Sequence, residues 1–305
     1  MRLDRTLTLG PGRLITGITP RSGAIPVLMF HRISDEAETV GPYYKLNTSP
    51  ARFEEQLQSL NELGFRSVRL DETIASPNGE SSSARRVVIT FDDGFRDFYD
   101  LAFPLLRKHD HIATMFLPTS FIGEQPRKFK GTECMTWKEI RELRAQGIQF
   151  GSHTVSHPKL YDISWKEIEA ELAVSKDTIE QEIGEETNSF AYPYAFPQED
   201  RAFVNAFTEI LGRRNYRTCV TTVIGRVAAG ANPLCLKRLP VNDCDDRPLL
   251  EAKLNGAYDW FGYPQNWSRK VRRWMRGGRR PVPDAAGLAN ELSASESESA
   301  QKLTL

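Results

Sequence analysis

VVITFDDGFRD (Val87–Asp97) joins a run of apolar residues directly to two adjacent carboxylates, Asp92 and Asp93, and then to Gly94. Val, Ile, Thr and Phe favour strands. Side chains alternate sides along a strand, so neighbouring acids at its tip cannot both be simple surface solvation. A helix N-cap needs one aspartate, not two. Like charges this close raise one pKa unless they share a cation. A bound metal resolves the conflict, with one carboxylate holding it and the other free to act as a base.

Seven further strand-like runs flank this one: Ile25–Phe30, Arg66–Leu70, Ile112–Leu117, Ile148–Gly151, Ser189–Tyr192, Tyr216–Val220 and Leu236–Val241. Helical periodicity fills the gaps. Phe53, Leu57, Leu60 and Leu63 share one face, with Gly64 placed to end the helix. TWKE at Thr136 and SWKE at Ser164 both have the form of a capping box. The second opens a helix carrying Ile168, Leu172, Ile179 and Ile183 and stopped by Gly184. Repeated strand–helix alternation predicts an α/β fold built on a parallel sheet. About seven to eight such units close into a (β/α) barrel, in which chemistry sits at the C-terminal ends of the strands.

The 305 residues suffice for a large core. Lys+Arg and Asp+Glu both number 40, so net charge gives no argument for nucleic acid, and no nucleic-acid partner is expected. The cysteines Cys134, Cys219, Cys235 and Cys244 form no CxxC pair, which points away from a zinc ribbon and towards a reducing compartment. No apolar run reaches signal-peptide or membrane-spanning length. These features give the expectation of a cytoplasmic protein. Ser76–Arg86 reads as a polar loop, and Trp267–Arg280 packs basic residues around two tryptophans. That basic segment is either a solvated terminal helix or a peripheral contact with the inner membrane face or a lipid-linked substrate.

Three more candidate stretches follow strands. In GSHTVSHP (Gly151–Pro158), His153 and His157 are spaced i, i+4, a spacing that presents two metal ligands from one turn if the segment is helical. With Asp93 they make a His/His/Asp set that leaves coordination positions open for water and substrate. In SFAYPYA (Ser189–Ala195), Pro193 removes an amide and fixes the backbone, leaving the Tyr194 N–H to meet an oxyanion. In VLMFHRI (Val27–Ile33), His31 stands where a general acid can act. His109 and His111 precede a strand and so belong to the opposite end of the barrel.

Together these residues resemble the polysaccharide deacetylases of carbohydrate esterase family 4, the NodB-homology domain. TFDDG matches the first family motif, SHTVSH the second, and AYPYA sits where the third falls. The resemblance runs from about Pro26 to Phe261. It implies a distorted (β/α) barrel and hydrolysis of an N-acetyl group from an amino sugar of a polysaccharide, oligosaccharide or glycan precursor. By resemblance, Asp92 is the general base. Asp93, His153 and His157 hold one divalent ion, Zn2+ first among Zn2+, Co2+, Ni2+ and Fe2+, and the Tyr194 amide steadies the oxyanion.

Two departures stand out. The third-motif arginine that orients the base is replaced by Ala191, and Arg238 on a later strand is the candidate substitute. No histidine follows His157, so the C-terminal catalytic histidine of many members is missing. FHR at His31 is similar to the N-terminal histidine motif of the exopolysaccharide-type variant, which makes His31 the expected acid. Asp243, Asp245 and Asp246 are candidates to orient it. The organisation expected is an N-terminal extension (1–24), a deacetylase domain (25–262), a basic Trp-containing segment (263–280) and a disordered tail (281–305). The alternatives are hydrolysis of another C–N amide, a formamide or cyclic amide, and a carbohydrate-binding pseudoenzyme. Of the aromatics Tyr43, Tyr44, Phe95, Trp137, Tyr192 and Tyr194, some are expected to stack on sugar and the rest to be core.

Overall fold

Eight parallel strands carry the fold, each ending an apolar run of the sequence. In chain order they are β1 (Val27–Phe30), β2 (Phe65–Ser67), β3 (Arg85–Phe91), β4 (Thr114–Leu117), β5 (Gln149–Ser152), β6 (Ser189–Ala191), β7 (Thr218–Ile224) and β8 (Leu236–Pro240). The computed structural model describes residues 3–12, 23–38, 40–41, 45–75 and 85–262. The basic segment, the tail, residues 76–84, Tyr43 and Tyr44 lie outside the described residues.

Seven strands close into a barrel in the order β1-β8-β7-β6-β5-β4-β3, sealed by β1 against β3, where Val27 to Phe30 pair with Val88 to Phe91. β2 stands outside it, paired only with the start of β3. Of the polar loop expected at Ser76–Arg86, residues 76–84 lie outside the described residues and the last two are strand. Arg85 and Arg86 open β3, and the Arg85 guanidinium lies over the Phe65 ring at 4.1 Å. β7 starts later and runs longer than expected, with an irregular register against β8 between Val220 and Ile224.

Alternation along the strands sorts the side chains. Val27, Val88, Phe116, Ala191, Val220 and Leu236 form one buried cluster. Gly151 makes room for it, since a Cβ there would lie 2.6 Å from the Phe116 ring. One step further along the same rows come Thr90 and then Asp92 on β3, and Arg238 on β8, so polar chemistry sits directly on an apolar plug. The intervening residues of β3, Val87, Ile89 and Phe91, join a larger cluster packed against the helices.

Those helices are α1 (Pro50–Glu62), α2 (Phe103–Lys108), α3 (Trp137–Ala145), α4 (Trp165–Ile183), α5 (Arg201–Arg213) and α6 (Arg247–Leu254). Phe53, Leu57 and Leu60 of α1 are buried as the periodicity requires, and Gly64 follows at φ 74°. Thr136 and Ser164 both complete capping boxes, with Glu139 and Glu167. Ile168, Leu172 and Ile179 are buried under α4, which ends on left-handed Gly184. A short helix, Leu3–Leu7, is tied to the domain by Tyr258 Oη donating to Asp4 (3.1 Å) and by an Arg5–Asp246 pair (2.5 Å). All four cysteines are free thiols.

Candidate active site

Because every barrel strand is parallel, their C-terminal ends share one mouth. His31 follows β1, Asp92 and Asp93 follow β3, His153 follows β5, Tyr194 follows β6, and Arg238 lies within β8. The residues singled out in the sequence therefore converge, while His109 and His111 precede β4 at the other end.

Asp92 and Asp93 are buried, at 2% and 1% exposure, in different environments. Arg238 donates Nη1 to Asp92 Oδ1 (2.7 Å) and Nη2 to Oδ2 (2.8 Å). The guanidinium is itself held by the Thr221 carbonyl at 3.1 Å and by Thr90 Oγ1 at 3.3 Å. Burial alone would push the Asp92 carboxyl up, but the Arg238 guanidinium beside it holds it below its ordinary value. Ala191 leaves the third-motif position without a guanidinium, and β8 delivers one from across the barrel.

Asp93 turns the other way, at φ 74°. Gly94 follows at φ 66°, and a Cβ there would meet the Ile122 and Leu117 side chains at 3.0 and 3.2 Å. Asp93 Oδ1 lies 3.5 Å from His153 Nε2 and 3.3 Å from His157 Nε2. One ligand atom from each residue falls within 4.8 Å of the others. Bonds of ~2.1 Å at tetrahedral angles place ligands ~3.4 Å apart, so the set has the size of a divalent-metal site. Neither Asp93 oxygen receives a hydrogen bond among the described residues. Burial alone would raise the Asp93 carboxyl, but the two imidazoles hold it well below its ordinary value. An ionised, buried and unsatisfied carboxylate facing two ring nitrogens is a donor set suited to a cation.

The imidazoles are prepared differently. His153 Nδ1 lies 2.7 Å from the Ala191 carbonyl, which fixes Nδ1 as the protonated nitrogen and leaves the Nε2 lone pair facing Asp93. Burial lowers the His157 pKa, which favours its neutral, ligating form. The i, i+4 spacing does not express a helix here. Thr154 and His157 have φ of 69° and 56°, and Pro158 disfavours helical geometry at the residue before it. With Asp93 and Tyr194, also at positive φ, these residues concentrate backbone strain of about 1–3 kcal/mol each at the mouth.

His31 Nε2 is 3.9 Å from Asp92 Oδ2, and its side chain is 19% exposed. Burial lowers its pKa, partly opposed by Asp92 and Asp93. The carboxylates proposed to orient it are engaged elsewhere. Asp243 accepts from Ser49 Oγ at 2.6 Å, Asp245 pairs with Lys253 at 2.8 Å, and Asp246 caps α6. Tyr194, after Pro193, is 43% exposed and lies edge-on to His157 at 4.7 Å. Its carbonyl accepts from Thr222 Oγ1 at 2.9 Å, and its N–H meets no acceptor among the described residues. Of the described aromatic candidates, Phe95, Trp137 and Tyr192 are core, and Tyr194 alone faces solvent.

Lys130 was not anticipated. It lies on the hairpin formed by Lys128–Phe129 and Thr132–Glu133, with Nζ 3.5 Å from Asp93 Oδ2 and 4.4 Å from the Phe129 ring centre. In the sequence KFKGTE carries no motif, because the hairpin's approach to the barrel is a tertiary event.

Residues 79–210 match the family described as polysaccharide deacetylase. YxkH of Bacillus subtilis (strain 168), whose name refers to the same family, is 25% identical over 79% of this chain and 77% of its own length. The poly-beta-1,6-N-acetyl-D-glucosamine N-deacetylase of Staphylococcus aureus is 26% identical over 51% of this chain, and the match spans 56% of that protein. Among solved structures, the Streptococcus pyogenes deacetylase PplD, in complex with acetate, superposes with TM-score 0.64 at 28% identity, covering 76% of this chain and 98% of that one. IcaB from Ammonifex degensii shares the fold, with TM-score 0.64, 24% identity and coverage of 77% and 98%. Residues 79–210, the span that matches the polysaccharide deacetylase family, carry Asp92, Asp93, His153, His157 and Tyr194, while β1 and β8 bring His31 and Arg238 from outside it.

Proposed function

We propose that the protein is a metal-dependent hydrolase that removes N-acetyl groups from an amino sugar of a polysaccharide, oligosaccharide or glycan precursor. The observation that carries this reading is the division between the two acids: Asp92 is clamped by Arg238, and Asp93, which receives no hydrogen bond among the described residues, faces His153, His157 and Lys130. The relatives named for polysaccharide and N-acetyl-D-glucosamine deacetylation support the substrate class. The acetate bound to the S. pyogenes deacetylase is the acid that such a reaction releases.

Asp93, His153 and His157 would hold one divalent ion, Zn2+ first. When bound, that ion supplies Lewis acidity towards the amide carbonyl and lowers the pKa of water. Asp92, ionised and immobilised, takes a proton from the attacking water. Arg238 keeps the carboxylate aimed into the mouth. His31, beside Asp92, hands a proton to the departing amine. The Tyr194 N–H, pre-aimed by Pro193 and the Thr222 contact, donates to the oxyanion. The Tyr194 ring offers an exposed face for a sugar.

The test is an acetate-release screen of the Zn2+-loaded protein across N-acetylglucosamine oligomers of differing linkage and carrier, with formamides and cyclic amides alongside. Acetate from at least one glycan, lost in Asp92→Asn, supports the proposal. Turnover confined to the small amides would replace it with the other C–N hydrolysis, and binding without turnover would leave a carbohydrate-binding protein.

A further inference from the structure

We propose that Glu171 on α4 is the positioning residue for His157 and sets the affinity of the Asp93–His153–His157 cluster for its ion. The inference rests on the metal-binding reading above.

The two histidines are secured by different means. The His153 ring is pinned by its bond to the Ala191 carbonyl. The His157 ring has no such bond: its Nδ1 meets no hydrogen-bond partner among the described residues. It is bordered by Phe129, His153 and Tyr194, with ring centres at 5.0, 4.7 and 4.7 Å. Ring-edge contacts do not fix the direction of Nε2 as a hydrogen bond does. The aim of His157 is therefore inherited from its backbone, which leaves the extended path at Thr154 and again at His157, both at positive φ.

Glu171 holds that backbone. Its Oε2 accepts the Val155 N–H at 2.7 Å and the Ser156 N–H at 2.9 Å, and its Oε1 accepts Ser156 Oγ at 2.6 Å. Two successive N–H groups converging on one oxygen form an anion-binding nest, here filled by the protein's own carboxylate. Bonds to an ionised acceptor are short and strong. On the other side of the loop, the Thr119 and Ser120 N–H groups donate to the Thr154 and Val155 carbonyls at 3.1 and 3.0 Å. Within it, the His157 N–H donates to Thr154 Oγ1 at 2.9 Å. One turn along α4, buried Ser175 meets Ser152 at 2.6 Å, just before His153. The helix thus braces the histidine loop at both ends, and Glu171 is the brace nearer His157.

Outer groups that orient a ligand typically change metal affinity 10–100-fold. Glu171→Ala should weaken Zn2+ binding to the full chain by about that factor in a chelator-competition titration. It should also alter the visible spectrum of the Co2+-substituted protein, which a loss of stability alone would not do. Glu171→Gln retains a neutral acceptor and should fall between Ala and parent. Ser156→Ala, which keeps both backbone bonds, should bind Zn2+ within about threefold of parent. Parent-like Zn2+ affinity and Co2+ spectrum in Glu171→Ala would overturn the assignment. Should that variant fail to fold, parent-like values in Glu171→Gln would overturn it equally. A parent chain that binds no Zn2+ would overturn the metal-binding reading, and this inference with it.

Discussion

The guanidinium of Arg238 grips both carboxylate oxygens of Asp92, at 2.7 and 2.8 Å, inside a barrel mouth where Arg238 is 1% exposed. Removing one partner of a buried pair leaves the other charge uncompensated, at about 3–5 kcal/mol. Arg238→Met should therefore lower the thermal midpoint markedly and abolish turnover together. Arg238→Lys keeps the charge but loses the two-pronged geometry, and should recover more stability than activity. Calorimetry beside acetate release checks both. Full turnover in Arg238→Met would remove the arginine from the account.

Loss of an acid that acts only in the transition state lowers turnover about 10²–10⁴-fold without touching the metal. His31→Gln should show that loss with metal content and substrate binding near parental values. Elemental analysis alongside steady-state kinetics separates the two quantities. If turnover is intact with metal bound, His31 is not the acid.

Lys130 presents its ammonium 3.5 Å from Asp93 Oδ2, where it competes with an incoming cation. The side chain is part exposed, so screening keeps the competition to roughly 1 kcal/mol. Lys130→Met should accordingly tighten Zn2+ binding by about threefold to tenfold. Isothermal titration of the metal-free protein reads this directly, and weaker binding would show that Lys130 supports the ion instead.

Burial lowers the pKa of His111, opposed by the Leu57 backbone and by Asp110, with neighbouring His109 and Arg66 adding to the shift. The folded chain thus binds this proton less tightly than the unfolded chain does. Between the lowered value and the ordinary ~6.5, unfolding takes up a proton, and stability falls as pH falls. Above ~6.5 the group adds no slope. His31 and His157 share the sign. Denaturant midpoints of the metal-free protein should decline below pH ~6.5, and less steeply in His111→Asn. An unchanged slope would show that His111 titrates normally.

Much of this was legible in the sequence because it is local. The apolar runs, both capping boxes and Gly64 and Gly184 depend on near neighbours, and the structure follows them closely. The residues that converge were legible as positions after strands, since parallel topology sends all such positions to one mouth. What stayed hidden depends on contacts distant along the chain. Arg238 reaches Asp92 from 146 residues away, and the sequence offered it only as a candidate stand-in for the missing third-motif arginine. Glu171 reads as one more acid on a polar helix until α4 is seen against the histidine loop. The His153–His157 spacing suggested a helical turn, yet Pro158 and two left-handed residues make a loop that brings both rings to Asp93. Arg85 and Arg86 read as the end of a polar loop in the sequence but open β3, where the Arg85 guanidinium lies over the Phe65 ring.

The division of labour between the adjacent acids is tested most directly by titrating Zn2+ into Asp92→Asn and Asp93→Asn under identical conditions, with acetate release from an N-acetylglucosamine oligomer followed in the same samples. The account predicts that Asp92→Asn binds one Zn2+ with near-parental affinity and releases no acetate, while Asp93→Asn binds Zn2+ at least tenfold more weakly. Equal loss of metal in both variants, or parental turnover in Asp92→Asn, would contradict it.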